Sequence, residues 1–504
     1  MSWFLLCLSW FVVSLVSVYL LDLLAHARRR LPPGPLPLPL IGSLHLLGSQ
    51  PHRSLALLAK THGPLMSLRL GAVTTVVVSS PAVAREILQK QDSVFATRSV
   101  NDAVRGHAAR NSVPFLPHAS PRWRALRKIM ATELFAPHRL DALQGLRSDK
   151  VSELAAHVGL LARQGAAVDV GRVAFATSLN LLSRTIFSVD LTSLDDHGGS
   201  KGFQVLVAEI METAGSPNVS DFLPALAGVD LQGLRRRLER MFARLHLVFD
   251  AQVDERLRAR DGDGTGKKKD GDDDFLDVLL DIAAREGDGK DGLDRDTLRS
   301  LFTDLFSAGS DTSSSTVEWA MVELLRSPSS MAKAHNELAR VIASGTNISE
   351  SDIERLPYLQ AVVKETFRLH PPVPLLLPRQ AQATVSVAGY TVPRGAQVLV
   401  NVWAMGRDEA VWHEPERFAP ERFLGRAVDY RGGDFELIPF GAGRRICPGL
   451  PLAIRMVHLI LGTLLHRFRW RLPVDVETSG IDMGEKFGVT LTKAVPISAM
   501  ATPI

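Results

Sequence analysis

Pro439-Phe440-Gly441-Ala442-Gly443-Arg444-Arg445-Ile446-Cys447-Pro448-Gly449 is the stretch on which the reading of this 504-residue chain turns. Gly441, Gly443 and Pro448 make an irregular loop in which backbone can approach a ligand closely. Directly after it, Leu452 to Phe468 is a strongly apolar helical run. A cysteine at a helix start, beside two arginines, has its thiolate stabilised by the helix dipole and by positive charge. Such a thiolate is a nucleophile or a metal ligand. The other cysteine, Cys7, lies far away in an apolar N-terminal run, where it reads as membrane filler. The loop therefore has no disulfide partner, and no local His/Cys cluster offers tetrahedral zinc spacing.

A single anionic sulfur fits the axial position of a haem iron. The pattern Phe-x-x-Gly-x-Arg-x-Cys-x-Gly, here Phe440, Gly443, Arg445, Cys447 and Gly449, resembles the haem-binding signature of the cytochrome P450 family at every defined position. The resemblance implies a mainly α fold with a minor β-sheet and one N-terminal transmembrane helix. It also implies haem b (iron protoporphyrin IX) with Cys447 as its axial ligand, in a loop that brings Phe440, Gly441 and Gly449 to the cofactor.

Upstream, Leu298, Leu301, Phe302, Leu305, Phe306, Val317, Ala320, Met321 and Leu324 recur with helical spacing, which predicts a helix from about Asp296 to just before Pro328. In its middle, Ala308-Gly309-Ser310-Asp311-Thr312-Ser313 breaks the apolar course. Glycine there costs about 1 kcal/mol relative to alanine, and local rules broken inside a strong element point to a functional site. The segment resembles the family's oxygen-binding helix. By that resemblance Gly309 makes room for dioxygen, Thr312 hydrogen-bonds it, and Asp311 relays protons to it by general acid catalysis.

Glu365 and Arg368 share a helix face about eighty residues before Cys447, with Pro420-Glu421-Arg422-Phe423 between. The family builds a buried structural Glu-Arg-Arg network from these parts, which implies Glu365, Arg368 and Arg422. Arg417, in a competing Pro-Glu-Arg-Phe copy, is the weaker candidate. Trp123 and Arg127 stack four apart on one helical face, and arginine pairs with carboxylates in a bidentate geometry that lysine lacks. By resemblance Trp123, Arg127, Arg379 and Arg445 hold the haem propionates. Arg124, Lys128 and Arg444 form a basic cluster that suits an acidic electron donor or a plain solvated face.

At the N-terminus, residues 1–21 carry no charge and Arg28-Arg29-Arg30 follow. About twenty apolar helical residues span a bilayer core, and the positive-inside rule leaves the bulk of the chain on the cytosolic side. Residues 1–24 thus read as a retained anchor, 25–45 as a basic stop-transfer and proline hinge, and 46–504 as the catalytic domain. The stretch Leu31–Pro39 holds five prolines and reads as a stiff extended spacer. Asp261 to Asp274, rich in glycine, lysine and aspartate, reads as a surface loop. Short β-like runs at Leu65–Leu70 and Thr74–Val78 predict one hairpin about Gly71. Val385–Val387 with Ala396–Val400 predicts another about Gly389. Lys+Arg 58 against Asp+Glu 54 is too even a balance for a nucleic-acid binder.

The resemblance covers the whole chain and is greatest to plant microsomal members, in particular the group with geraniol and diterpene hydroxylases. Ala214-Gly215-Ser216-Pro217-Asn218 and Val398-Leu399-Val400-Asn401-Val402-Trp403-Ala404 carry that finer likeness. It implies an endoplasmic-reticulum monooxygenase that hydroxylates or epoxidises a small lipophilic molecule with O2. Electrons would come from NADPH through a flavoprotein reductase, with cytochrome b5 as an optional second donor and membrane lipid as the anchor's partner. Phe302, Phe306, Ala308, Gly309, Val373, Leu376 and Phe487 are the expected substrate contacts, an apolar set that suits a terpenoid. A flavonoid or other phenolic is the alternative substrate. A haem-thiolate isomerase or dehydratase is disfavoured because such enzymes tend to lose the acid-threonine pair that Asp311 and Thr312 supply. A non-catalytic haem sensor is a further alternative, distinguished by its lack of turnover.

Overall fold

The computed structural model describes residues 3–7, 9–10, 13, 17, 30–108, 111–194, 202–262, 273–286, 293–343 and 345–504. Most of the expected anchor and most of the Asp261–Asp274 insert lie outside the described residues. The helices that place the site are α1 (Pro51–His62), α2 (Pro121–Ile129), α3 (Val170–Phe187), α4 (Phe203–Gly215), α5 (Leu234–Gly262), α6 (Arg295–Arg326), α7 (Pro357–Leu369) and α8 (Leu450–Arg467). The strands that place the site are β1 (Leu65–Leu70), β2 (Val73–Val78), β3 (Thr97–Arg98), β4 (Arg379–Gln380), β5 (Val385–Val387), β6 (Tyr390–Val392), β7 (Gln397–Val400), β8 (Glu485–Lys486) and β9 (Thr492–Lys493).

Helix starts follow from local chemistry. Pro51, Pro121 and Pro357 open their helices, where a missing N–H costs nothing. Asp169 and Asp294 cap α3 and α6 by accepting the N–H of Arg172 and Thr297. The 32 residues of α6 make a rod of about 48 Å at ~1.5 Å per residue, and α3, α7 and α8 all pack against it. Among the described residues α8 is long and apolar enough to cross a membrane, yet 61% of it is buried, so its apolarity belongs to the core. Leu452, Met456, Leu459, Ile460 and Leu464 pack there with Val317, Met321 and Leu324 of α6.

A five-stranded sheet in the order β1-β2-β7-β4-β3 flanks the helices. β1 and β2 form the expected hairpin, turning at Gly71, whose φ of +60° suits glycine. The second hairpin differs from expectation. Val385–Val387 pairs with Tyr390–Val392, while Gln397–Val400 runs parallel to β2 and antiparallel to β4. Ala388 and Gly389 both take positive φ, +48° and +82°, which closes a two-residue turn that leaves no room for a longer connection. The proline segment is extended but docked: Ser67 donates from N and Oγ to the carbonyls of Pro33 and Pro32, at 2.9 and 2.6 Å.

Candidate active site

The Cys447 loop is tied by its own backbone. Gly441 and Gly443 hold φ of +72° and +68°, and the Cys447 N–H donates to the Phe440 carbonyl at 3.0 Å. The Phe440 ring is braced by Phe367 and Tyr430, with centroids 5.3 and 6.0 Å away. A Cβ at Gly449 would stand 3.9 Å from the Cys447 sulfur. Burial pushes the thiol up, opposed by the Gly449 and Leu450 N–H groups at the head of α8 and by Arg127. The arginines expected to help do not face the sulfur. Arg444 turns outward to Asp92 at 3.6 Å, and Arg445 gives its N–H groups to the carbonyls of Ala96, Val113 and Leu116. In sequence they adjoin the cysteine; in space the neighbouring cation is Arg127, which also donates to the Ile446 carbonyl at 3.0 Å. A coordinated metal cation is the further factor that deprotonates such a thiol outright.

A buried basic cluster lies beside this loop. The Arg445 guanidinium sits over the Trp123 ring, 4.7 Å from its centroid, and that of Arg127 lies 5.8 Å from it. Arg379 donates to the carbonyls of Phe95 and Ala442, at 3.3 and 3.2 Å, and faces Asp92 at 3.6 Å. Arg98, opposite Arg379 in the β3–β4 register, donates to the Leu377 carbonyl at 2.7 Å. Burial lowers Arg445 to about 10, with Arg379 and Arg127 adding to the effect. It lowers Arg98 too, again with repulsion from Arg379 and Arg445. The Trp123 indole N–H is buried with no acceptor among the described residues. An unfilled donor and cations packed against their own repulsion, with Asp92 as the facing acid, fit a group that brings two carboxylates. A haem does so. Arg98 escaped the sequence reading because a lone arginine in a two-residue strand carries no spacing signal; only strand pairing places it.

Along α6 one stripe is open. Asp304, Ser307, Ala308, Asp311 and Thr312 are accessible at the helical repeat, while Phe306, Ser310, Ser313 and Val317 are buried. Thr312 Oγ1 donates to the Ala308 carbonyl at 2.7 Å, leaving its lone pairs free to accept. Burial raises the Asp311 pKa, opposed by the Thr490 hydroxyl and then by Lys486.

Three expected contacts on this helix are revised. Phe302 and Phe306 are fully buried on the opposite face, where their rings meet Phe187 and Phe249 at 4.9 to 5.8 Å. They are core residues, since their helical phase turns them from Ala308. The missing Cβ of Gly309 points to Leu182 of α3, which it would meet at 2.9 Å, so that glycine permits close helix packing. The open stripe instead holds Asp304, unforeseen because an acid amid an apolar run has no partner visible in sequence. It accepts from Ser112 Oγ at 2.7 Å and the Val113 N–H at 2.8 Å, and burial pushes it up to about 7.

Val373 and Leu376 are partly open, and a Cβ on Gly441 would lie 3.8 Å from Leu376. Leu375 is buried with Met66 and Leu399, and the partly open Phe487 packs against the same cluster. The β8–β9 hairpin brings its tip to α6: Ser315 Oγ donates to the Leu491 carbonyl at 2.9 Å, and the Leu491 N–H to Pro372 at 2.7 Å. Phe487 stacks on His52 at 5.5 Å.

Behind the cysteine loop, Arg368 grips Glu365 through Nε and Nη2 at 2.7 and 2.8 Å, and Arg422 Nε reaches the same carboxylate at 3.0 Å. Arg417 pairs with Glu414 on the surface instead.

A half-buried thiol at the head of a core helix, a cationic cluster beside it, and a long helix bearing an open acid-threonine pair are what a haem-thiolate protein requires. The chain belongs to the cytochrome P450 family, whose model matches residues 32–497. Geraniol 8-hydroxylase from Swertia mussotii is 51% identical over 98% of this chain and 98% of its own. Geraniol 8-hydroxylase from Catharanthus roseus is 53% identical over 95% and 96%. The 7-ethoxycoumarin O-deethylase of Helianthus tuberosus is 47% identical over 99% of each. A zebra fish cytochrome P450 solved with progesterone superposes with a TM-score of 0.76 at 27% identity, covering 90% of this chain and 99% of that one. The chain is therefore a cytochrome P450 monooxygenase of the plant type. Members of this family carry a haem held by a cysteine thiolate and use O2 with a redox partner.

Proposed function

We propose that this monooxygenase hydroxylates or epoxidises a small terpenoid. The observation that carries the substrate class is the pair of geraniol 8-hydroxylases, matched over nearly the full length of both chains at 51% and 53% identity. Ala308, Val373 and Leu376 supply an apolar lining that suits such a molecule. The cofactor is haem b, with Cys447 on the iron, Phe440, Gly441 and Gly449 around the thiolate, and Trp123, Arg98, Arg127, Arg379 and Arg445 at its carboxylates. Once bound, the haem supplies the activation of dioxygen. The chain's own work is local. Thr312 offers a hydroxyl that can accept and pass a proton at the open stripe. Asp311, its affinity for protons raised by burial, refills that hydroxyl. Glu365, Arg368 and Arg422 keep the layer behind the cysteine loop rigid.

Electrons come from NADPH through a flavoprotein reductase, with cytochrome b5 as a second donor. Residues 1–24 anchor the chain in the endoplasmic-reticulum membrane, 25–45 form the link, and 46–504 face the cytosol. A phenolic substrate is the second reading, favoured by the 47% identity to the coumarin O-deethylase. Membranes carrying the chain and a reductase, supplied with NADPH and either geraniol or 7-ethoxycoumarin, decide between them. Oxygenated geraniol formed only with NADPH supports the first reading. Turnover of the coumarin alone moves the substrate class to phenolics.

A further inference from the structure

The start of α1 and the base of the β8–β9 hairpin are joined by a buried ionic knot that the oxygen chemistry does not use. Glu485 is buried, and His52 Nε2 and Arg53 Nε reach its Oε2 at 3.0 and 2.7 Å. Gln50 Nε2 donates to the Glu485 carbonyl at 3.1 Å, and Trp403 Nε1 to its Oε1 at 3.4 Å. His370 Nδ1 lies 3.9 Å from Oε1, while its Nε2 meets Glu323 at 2.8 Å. Burial would raise the carboxyl, but His52 and Arg53 hold it at about 2, so it stays ionised.

The placement of the knot gives it a consequence. Residues i and i+2 of an extended chain share a face, so Glu485 and Phe487 both meet His52, one by its carboxylate and the other by stacking at 5.5 Å with 14° between the planes. Lys486, on the other face, reaches Glu212 of α4 at 2.8 Å. From Phe487 the chain runs to the tip, which is tied to α6 where Ser315 Oγ donates to the Leu491 carbonyl at 2.9 Å. A Cβ on Gly215, at the end of α4, would strike Gly488 and Val489, so the tip fits there in one position.

We propose that Glu485 is a positioning residue: gripped by His52 and Arg53, it fixes Phe487 and the hairpin tip against α6 and thereby sets which carbon of the substrate is oxidised. This rests on the reading of Phe487 as a pocket residue.

The test uses full-length enzyme in membranes, with Glu485→Gln and the milder Arg53→Gln, each alone and combined with Phe487→Ala. Hydrogen exchange of the 485–493 segment is read without substrate, and the ratio of oxygenated geraniol isomers with it. Glu485→Gln is expected to speed exchange in that segment tenfold or more, to change the isomer ratio several-fold, and to leave the thiolate-type spectrum of the reduced CO complex intact. Arg53→Gln should do the same to a lesser degree, and it decides the matter if the first variant does not fold. In the Phe487→Ala background neither substitution should change the ratio further. Unchanged exchange, or effects on the ratio that simply add to that of Phe487→Ala, overturns the proposal. Wild-type enzyme that ignores geraniol overturns the terpenoid reading alone; the exchange measurement then decides the positioning role.

Discussion

Arg445 lies over Trp123, 4.7 Å from the ring centroid, with its N–H groups committed to three backbone carbonyls, while the indole N–H has no acceptor among the described residues. On the proposed reading, the arginine builds the wall and the tryptophan keeps a donor for a haem carboxylate. Trp123→Phe keeps the ring under Arg445 and deletes only that donor. A buried hydrogen bond to a charged group contributes about 1.5–3 kcal/mol, so the variant should lose haem roughly ten- to a hundredfold more readily, read as the haem-to-protein absorbance ratio after dilution.

Glu365 is the one carboxylate shared by Arg368 and Arg422. Removing one member of a buried pair leaves the other charge uncompensated, at about 3–5 kcal/mol. Glu365→Gln should therefore lower the thermal midpoint sharply. Arg417→Ala, at an exposed pair, should stay within about 0.5 kcal/mol.

Asp304 has a folded pKa of about 7, against about 3.9 for the unfolded chain. Because the folded form holds its proton more tightly, its contribution to stability is greatest below pH 4 and is lost as pH rises towards 7 and beyond. Asp304→Asn should flatten the fall of the thermal midpoint between pH 4.5 and 7.5. A slope identical to wild type would show that another group carries it.

Thr312→Ala deletes the hydroxyl at the open stripe and leaves the cysteine loop untouched. Haem content should stay as in wild type, while NADPH and oxygen consumption rise relative to product. Fully coupled turnover would contradict the proton-relay role.

The long α6 and the apolar α8 were legible because a sustained 3.6-residue period has one explanation. The Cys447 loop was legible because its glycines and proline leave few alternatives. Helical phase within α6 was not: Phe302 and Phe306 share the helix with Ala308, yet only packing against Phe187 and Phe249 shows which face is core. The resemblance gives Gly309 to dioxygen, whereas Leu182, distant in sequence, occupies the space its Cβ would take. Arg98 and Asp304 were missed for the same reason, since β3–β4 pairing and the 112–113 loop supply their partners. The neighbours of Cys447 misled in the opposite way. Adjacency in sequence suggested that Arg444 and Arg445 stabilise the thiolate, whereas a tight loop sends both elsewhere and leaves Arg127 near it.

Cys447 as the haem's thiolate ligand is measured most directly in the reduced CO complex. Wild-type protein should give the thiolate-type absorption spectrum, and Cys447→Ala should lose it while Cys7→Ala keeps it. A thiolate-type spectrum retained in Cys447→Ala would contradict ligation of the haem by Cys447.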